Sequence, residues 1–182
     1  MQVITGKYRA RKLKSPDSAR PTLQRIKVSL FSMLQPYIFD GCRVLDLFAG
    51  SGALGIECIS RGASFCVFVD QDKKACKCIS DNLKNIESKY FKIMNLDYYA
   101  ALKMLGDQEK FDIIFLDPPY ADNTAISAAM VIDRYDLLSD NGIIVIETDS
   151  DKTISIDSPS FTIVKDKVYG LTRIIILQKT QH

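Results

Sequence analysis

Short, almost continuously apolar runs recur along the chain, each separated from the next by a stretch with helical spacing. Arg43–Phe48, Phe65–Val69, Phe91–Met94, Phe111–Leu116 and Gly142–Glu147 read as strands. Between them Ala53–Arg61, Lys73–Glu87, Tyr98–Leu105 and Thr124–Tyr135 read as helices, with Gly62 stopping the first and Asp72 capping the second. A strand that is apolar on both faces has to be covered on both. The alternation therefore predicts an α/β fold: a doubly wound, mostly parallel seven-stranded sheet. Phe161–Val168 and Leu171–Gln178, joined at Tyr169-Gly170, supply the last two strands as a C-terminal antiparallel hairpin. Ahead of the sheet, Thr22 can cap a helix to about Leu34, with Ile26, Leu30, Phe31 and Leu34 on one face and Pro36 ending it. Residues 2–5 allow a short strand in an otherwise loop-like start.

At 182 residues the chain has the size of one domain, 1–182, able to bury a real core. No apolar run approaches the length of a membrane span, and the basic start MQVITGKYRARKLK lacks the apolar stretch of a secretory signal. The expectation is a cytoplasmic monomer that does not meet a membrane. The five cysteines, Cys42, Cys58, Cys66, Cys76 and Cys78, have no metal-ligand spacing and read as reduced thiols. The one histidine is the last residue, His182, so chemistry needing a histidine base or a histidine-rich metal site is disfavoured, and no metal is expected.

Charge is uneven. Residues 1–27 carry Lys7, Arg9, Arg11, Lys12, Lys14, Arg20, Arg25 and Lys27 against the single acid Asp17, while the rest holds 16 basic and 21 acidic side chains. A basic N-terminal arm on an acidic body is the footprint of a polyanion-binding protein, and Tyr8 inside the arm favours a nucleic acid over a merely solvated tail.

In a doubly wound sheet, ligands bind beyond the carboxyl ends of the strands, near the point where strand order reverses. The first strand runs into Asp46-Leu47-Phe48-Ala49-Gly50-Ser51-Gly52-Ala53-Leu54-Gly55, a G-x-G-x-x-G loop between strand and helix. Asp70 closes the second strand, where a carboxylate can accept from both ribose hydroxyls of an adenosine. The glycines alone also fit a nicotinamide dinucleotide. Asp46 argues against that, because an anion beside a pyrophosphate is awkward, whereas it suits a cofactor carrying an ammonium and a sulfonium. Without a ligand, Asp46 would be a strand-end carboxylate and Asp97 a helix cap.

D-L-F-A-G-S-G resembles the first motif of class I S-adenosylmethionine methyltransferases. The resemblance implies that Asp46 and the loop Phe48, Ala49, Gly50, Ser51 and Gly52 hold the methionine part, that Asp70 holds the ribose, and that Asp97 meets the adenine. Gln71 and Tyr98, beside Asp70 and Asp97, count among the same cofactor-binding candidates. Asp117-Pro118-Pro119-Tyr120 follows the fourth strand and resembles the fourth motif of methyltransferases acting on exocyclic amines. Such an amine is a poor nucleophile, because its lone pair is conjugated with the ring. Two acceptors aimed at its hydrogens, the Asp117 carboxylate and the Pro118 carbonyl, can draw the nitrogen toward tetrahedral geometry. The two prolines stiffen the turn, and Tyr120 can stack on the base. Taken alone, the motif could be a rigid turn with a surface tyrosine.

The start, I-T-G-K-Y-R-A-R-K-L-K-S-P-D-S-A-R-P-T-L-Q-R-I-K-V-S-L-F, resembles that of the bacterial RsmD-type guanine-N2 methyltransferases of small-subunit ribosomal RNA. So do G-S-G-A-L-G-I-E-C-I-S-R-G-A and V-D-Q-D, and the likeness covers nearly the whole chain. It implies a Rossmann-like fold and a guanine of 16S ribosomal RNA as target, within the small ribosomal subunit or its assembly intermediate. It also makes Arg20, Thr22 and Arg25 substrate-binding candidates with Lys7, Arg9, Arg11 and Lys12. The chain departs from the family's usual pattern at Leu23, Gln24 and Val28. Two other readings stand beside this one: a DNA adenine amino-methyltransferase, and a non-catalytic RNA-binding assembly protein.

Overall fold

A computed structural model describes residues 1–16, 24–106, 109–118, 123–152, 154 and 158–180. Five parallel strands, β1 (Arg43–Asp46), β2 (Phe65–Val69), β3 (Phe91–Met94), β4 (Phe111–Leu116) and β5 (Leu138–Asp149), form one sheet with β6 (Phe161–Tyr169) and β7 (Thr172–Lys179). Their order is β3-β2-β1-β4-β5-β7-β6, with β7 antiparallel to both neighbours. The doubly wound prediction and its C-terminal hairpin stand. Strand order reverses between β1 and β4, so the loops after these two strands share one edge.

Side chains alternate across the pleat. Val44, Ile113, Phe115, Ile143, Val145, Ile174 and Ile176 face one side. There they meet α1 (Gln24–Leu34), α2 (Ala53–Ser60) and α3 (Lys73–Asn82). Leu45, Ile114, Leu116, Ile144, Ile146, Ile175 and Leu177 face the other side, under α4 (Tyr98–Leu105) and α5 (Thr124–Arg134). Both faces of the central strands are dry, which is why they read as apolar runs rather than alternations. All five cysteines are free, three of them buried. Among the described residues, no helix is long and apolar enough to cross a membrane.

Most boundaries agree with the sequence reading to within two residues, and three places differ by more. The third helix ends at Asn82 rather than Glu87, because the chain turns at Asn85, which takes a left-handed backbone with φ 67°. β5 starts at Leu138, four residues earlier than expected. Leu138 pairs with Phe111, but Ile113 pairs with Ile143, so the polar Ser139, Asp140 and Asn141 sit in an irregularity of the strand. At the N-terminus only the isolated bridge Gln2–Lys12 forms in place of a strand over 2–5.

Residues 1–14 double back on themselves. The Val3 amide donates to the Arg11 carbonyl, Ala10 to Val3 and Leu13 to Met1, each at 2.9 Å. Val3 and Leu13 are buried in the core beside α1 and α2. Residues 1–14 of the basic arm, read from sequence as loop-like, are a packed hairpin. Gly6 is required at its tip: φ is +88°, and a Cβ there would lie 1.7 Å from the Ser60 carbonyl oxygen.

Candidate active site

The loop after β1 is braced from below. Asp46 is 2% exposed, and its carboxylate accepts the Gly55 amide at 3.2 Å, in the first turn of α2. Gly55 lets that turn lie against β2, since a Cβ would fall 2.6 Å from Cys66 Sγ. Burial pushes the Asp46 carboxyl up to about 7 against the opposing Gly55 hydrogen bond, and the nearby charges of Asp117 and Asp70 push it further the same way. Three carboxylates from β1, β2 and β4 thus converge on one loop.

Asp70 ties the loop to the second strand, accepting the Gly50 amide and the Asp72 amide, both at 2.9 Å. Its backbone is held in turn by Asn95, whose amide donates to the carbonyls of Asp70 (2.9 Å) and Gln71 (3.0 Å). The Gln71 side chain is exposed. Asp97 is exposed and caps α4 through the Ala100 amide at 3.0 Å, which leaves its outer oxygen open to a ligand. Above the loop the rings of Phe48 and Tyr98 meet, centroids 5.8 Å apart and tilted 44°, as a half-exposed aromatic wall. The sequence named both residues but not their contact.

Asp117 and Pro118 follow β4 and are half-buried. Asp117 lines a narrow crevice with Leu30 of α1, Leu54 of α2, Phe115, Val145, Ile174 and Glu147. Glu147, toward the end of β5, was not singled out from the sequence, because it sits inside a run read as strand and belongs to no motif of the kind that found Asp117. Pro119, Tyr120, Arg20 and Thr22 lie outside the described residues.

The arm's side chains divide. Lys7, Arg9, Lys12 and Arg25 are exposed and Arg11 is half-buried. Lys27, counted in the arm's positive charge, is instead fully buried on α1, its ammonium 3.1 Å from the Glu57 carboxylate; burial pulls its pKa down against the attraction of Glu57. The polyanion-facing charge is smaller by that one. Glu57 itself is fully buried on α2. It also accepts from Arg61 at 2.9 Å and from the amides of Ile4 (2.8 Å) and Thr5 (3.1 Å). Ser60 adds three bonds to the hairpin tip: its carbonyl accepts the Lys7 amide, its hydroxyl accepts the Tyr8 amide, and that hydroxyl donates to the Thr5 carbonyl. Asn82 closes the other side. It accepts from the Lys14 amide and donates to the carbonyls of Lys14 and of Ser51 in the glycine loop, all at 2.9 Å. One side chain therefore stitches the arm to the loop. Gln24, one of the departures from the family pattern, exchanges bonds of 3.3–3.4 Å with the Gln2 backbone, and Val28 is exposed on α1.

The chain resembles known proteins along its full length. The family described as Conserved hypothetical protein 95 matches residues 1–178. The Bacillus subtilis protein YlbH is 41% identical, over 98% of this chain and 99% of its own. Ribosomal RNA small subunit methyltransferase D of Haemophilus influenzae is 35% identical, over 94% of this chain and 90% of its own. The solved structure of yhhF from Escherichia coli superposes with a TM-score of 0.88 at 28% identity, covering 98% of this chain and 97% of that one. The chain belongs to the Conserved hypothetical protein 95 family, the RsmD family, and has its class I methyltransferase fold.

Proposed function

We propose that this protein transfers a methyl group from S-adenosylmethionine to the exocyclic 2-amino group of a guanine in small-subunit (16S) ribosomal RNA. The observation that carries the reading is that the glycine loop follows β1 and Asp117-Pro118 follows β4, the neighbouring strands at which strand order reverses, so that the Asp117 charge is felt by Asp46 under the loop. The relative named ribosomal RNA small subunit methyltransferase D supports the choice of target. The residues fit the cofactor's charge. Asp46, Asp70 and Asp117 crowd negative charge around the loop, which an ammonium and a sulfonium relieve and a pyrophosphate would aggravate.

S-adenosylmethionine supplies an electrophilic methyl group on a sulfonium. The chain's part is positioning and electrostatics. The loop Phe48–Gly52 with Asp46 holds the methionine portion, Asp70 and Gln71 the ribose, and Asp97 with Tyr98 the adenine. Asp117 and the Pro118 carbonyl accept the two hydrogens of the target amine, and the released proton passes to Asp117 or to water. Pro119 stiffens the turn and Tyr120 stacks on the guanine. The whole chain acts as one methyltransferase domain and a monomer in the cytoplasm. Residues 1–27 serve as the arm that contacts ribosomal RNA, in the subunit or an assembly intermediate, through Lys7, Arg9, Arg11, Lys12, Arg20, Thr22 and Arg25.

Methyl transfer from labelled S-adenosylmethionine tests the proposal, with small subunits lacking base methylation offered beside unmethylated duplex DNA. Label recovered as N2-methylguanosine is the expected outcome. Label in DNA adenine would keep the mechanism and overturn the target; label in neither would overturn the enzymatic reading.

The raised Asp46 carboxyl gives a second expectation. Its pKa rises from 3.8 to about 7 on folding, so between those values the folded protein holds a proton that the unfolded chain has released. Stability without cofactor therefore falls as pH rises from about 4 to about 7 and levels off above, by about 4 kcal/mol if the whole shift is expressed. Asp46→Asn removes that slope. The variant gains stability over the wild type at pH 8 but not at pH 4 in urea unfolding, and binds S-adenosylmethionine at least about tenfold more weakly. An unchanged pH slope would mean that Asp46 stays ionised under the loop.

A further inference from the structure

The body of the protein is acidic only on average. Between residues 71 and 95 it carries six lysines against Asp72, Asp81 and Glu87, and the basic hairpin is bonded to this stretch through Arg11 with Lys84 and Lys14 with Asn82. The contact brings two tyrosines and the cations of Lys7, Arg11 and Lys89 together, with Lys84 joined to them through its backbone carbonyl. Lys7 Nζ sits 5.5 Å from the ring centre of Tyr8 and 5.8 Å from that of Tyr90, which lies in the short turn before β3. The Arg11 guanidinium is 6.0 Å from Tyr8 and donates to the Lys84 carbonyl just beyond α3. Lys89 is 5.0 Å from Tyr90. Both rings are half-exposed, and Lys7, Lys84 and Lys89 are exposed.

We infer that this patch, Tyr8 and Tyr90 with Lys7, Arg11, Lys84 and Lys89, is a platform that binds single-stranded RNA by base stacking and phosphate contact. The inference rests on the ribosomal RNA reading above and extends its contact surface from the arm onto the body. Interleaved rings and cations are what an unpaired strand requires: a π-face for bases and point charges for the backbone. An acidic protein surface would use the cations but has no need of the rings. Lys84 and Lys89 have carboxylate neighbours, Asp81 at 2.6 Å and Glu87 at 2.7 Å. Exposed pairs of this kind contribute little and exchange readily for phosphate.

The platform has a defined place relative to the chemistry. Ser60, under the hairpin tip, ends α2, and the glycine loop begins it, so the two lie about 12 Å apart along the helix axis. From the tip, the returning segment of the arm runs to Lys14, which Asn82 joins to Ser51. A strand held on the platform is thereby led toward the loop, and the protein grips nucleotides beyond the one it modifies.

The test compares wild type, Lys84→Ala/Lys89→Ala, Tyr90→Ala and Tyr90→Phe. It measures binding of fluorescently labelled protein to unmethylated small subunits and to protein-free 16S RNA across a salt series. The lysine pair should weaken RNA binding about tenfold and reduce the salt slope by about two. Tyr90→Ala should weaken it about tenfold with the slope unchanged, and Tyr90→Phe should bind as wild type. S-adenosylmethionine affinity should stay constant throughout, which also reports on folding. Wild-type affinity and slope in the lysine variant would overturn the platform while leaving the RNA reading intact. No RNA binding by wild type would overturn the RNA reading itself. A loss seen with subunits but not with protein-free RNA would assign the patch to a ribosomal protein and overturn the inference.

Discussion

Asp117→Ala should lower the rate of methyl transfer by about three orders of magnitude or more, while S-adenosylmethionine affinity changes by no more than a few-fold. The two effects separate because Asp117 follows β4 and lines the crevice below α1, whereas the loop is held by Asp46 beneath it and Asp70 beside it. In the proposed mechanism, removing Asp117 takes one of two acceptors from the target amine, and it leaves the loop's own hydrogen bonds untouched. Asp117→Asn should fall between, since its amide oxygen still accepts but carries no charge. A readout independent of turnover comes with it. The Asp117 charge contributes to the raised Asp46 carboxyl, so in Asp117→Ala the pH at which stability levels off should move below about 7. Turnover within tenfold of wild type would instead assign amine activation to another acceptor, with Glu147 of the same crevice first in line.

The glycine loop and Asp117 were legible in the sequence because each belongs to a short motif and chain order places both motifs at one edge of the sheet. Each sits directly behind a strand that reads as apolar on both faces, and the topology of such a sheet brings the ends of the first and fourth strands together. Asp97 was legible twice over, as a cap and as an acid at a strand end, and the cap is formed. What could not be read depends on contacts between distant parts of the chain. Glu57 meets Ile4 and Asn82 meets Lys14 across separations of 53 and 68 residues; Glu57 lies in a family-like stretch that says nothing of its partner, and Asn82 lies in none. Lys27 looked like one more charge of the arm, because burial is invisible to a charge count; its spacing with Leu30, Phe31 and Leu34 puts it on the buried face, but its partner Glu57 could not be read. The length of β5 was hidden by polar residues that a strand tolerates at an irregularity. The basic character of residues 71–95 was masked in the same way, averaged into an acidic body until the fold set it beside the arm.

Glu57→Ala should be the most destabilising single substitution outside the apolar core, at about 3–5 kcal/mol by urea unfolding. The carboxylate answers four donors at once: Lys27, Arg61 and the amides of Ile4 and Thr5. Its loss strands an ammonium that is fully buried and two backbone N–H groups, a cost larger than any one bond it made. Pairing it with Lys27→Met separates these contributions. The double variant removes the uncompensated charge and should recover part of the loss, and the remainder belongs to the hairpin amides. The hairpin should loosen in both, so that trypsin cleaves after Lys7, Arg9 or Arg11 under conditions that leave the wild type whole, and RNA affinity should fall with it. If Glu57→Ala costs less than about 1 kcal/mol, the hairpin is held by Val3, Leu13 and the bonds of Ser60 and Asn82 instead, and trypsin resistance should then persist. A buried charge that fixes the basic arm to the helix behind the glycine loop is expensive to maintain if stability alone is the criterion. Its presence makes sense where the position of the arm relative to that loop, rather than stability, is what the reaction requires.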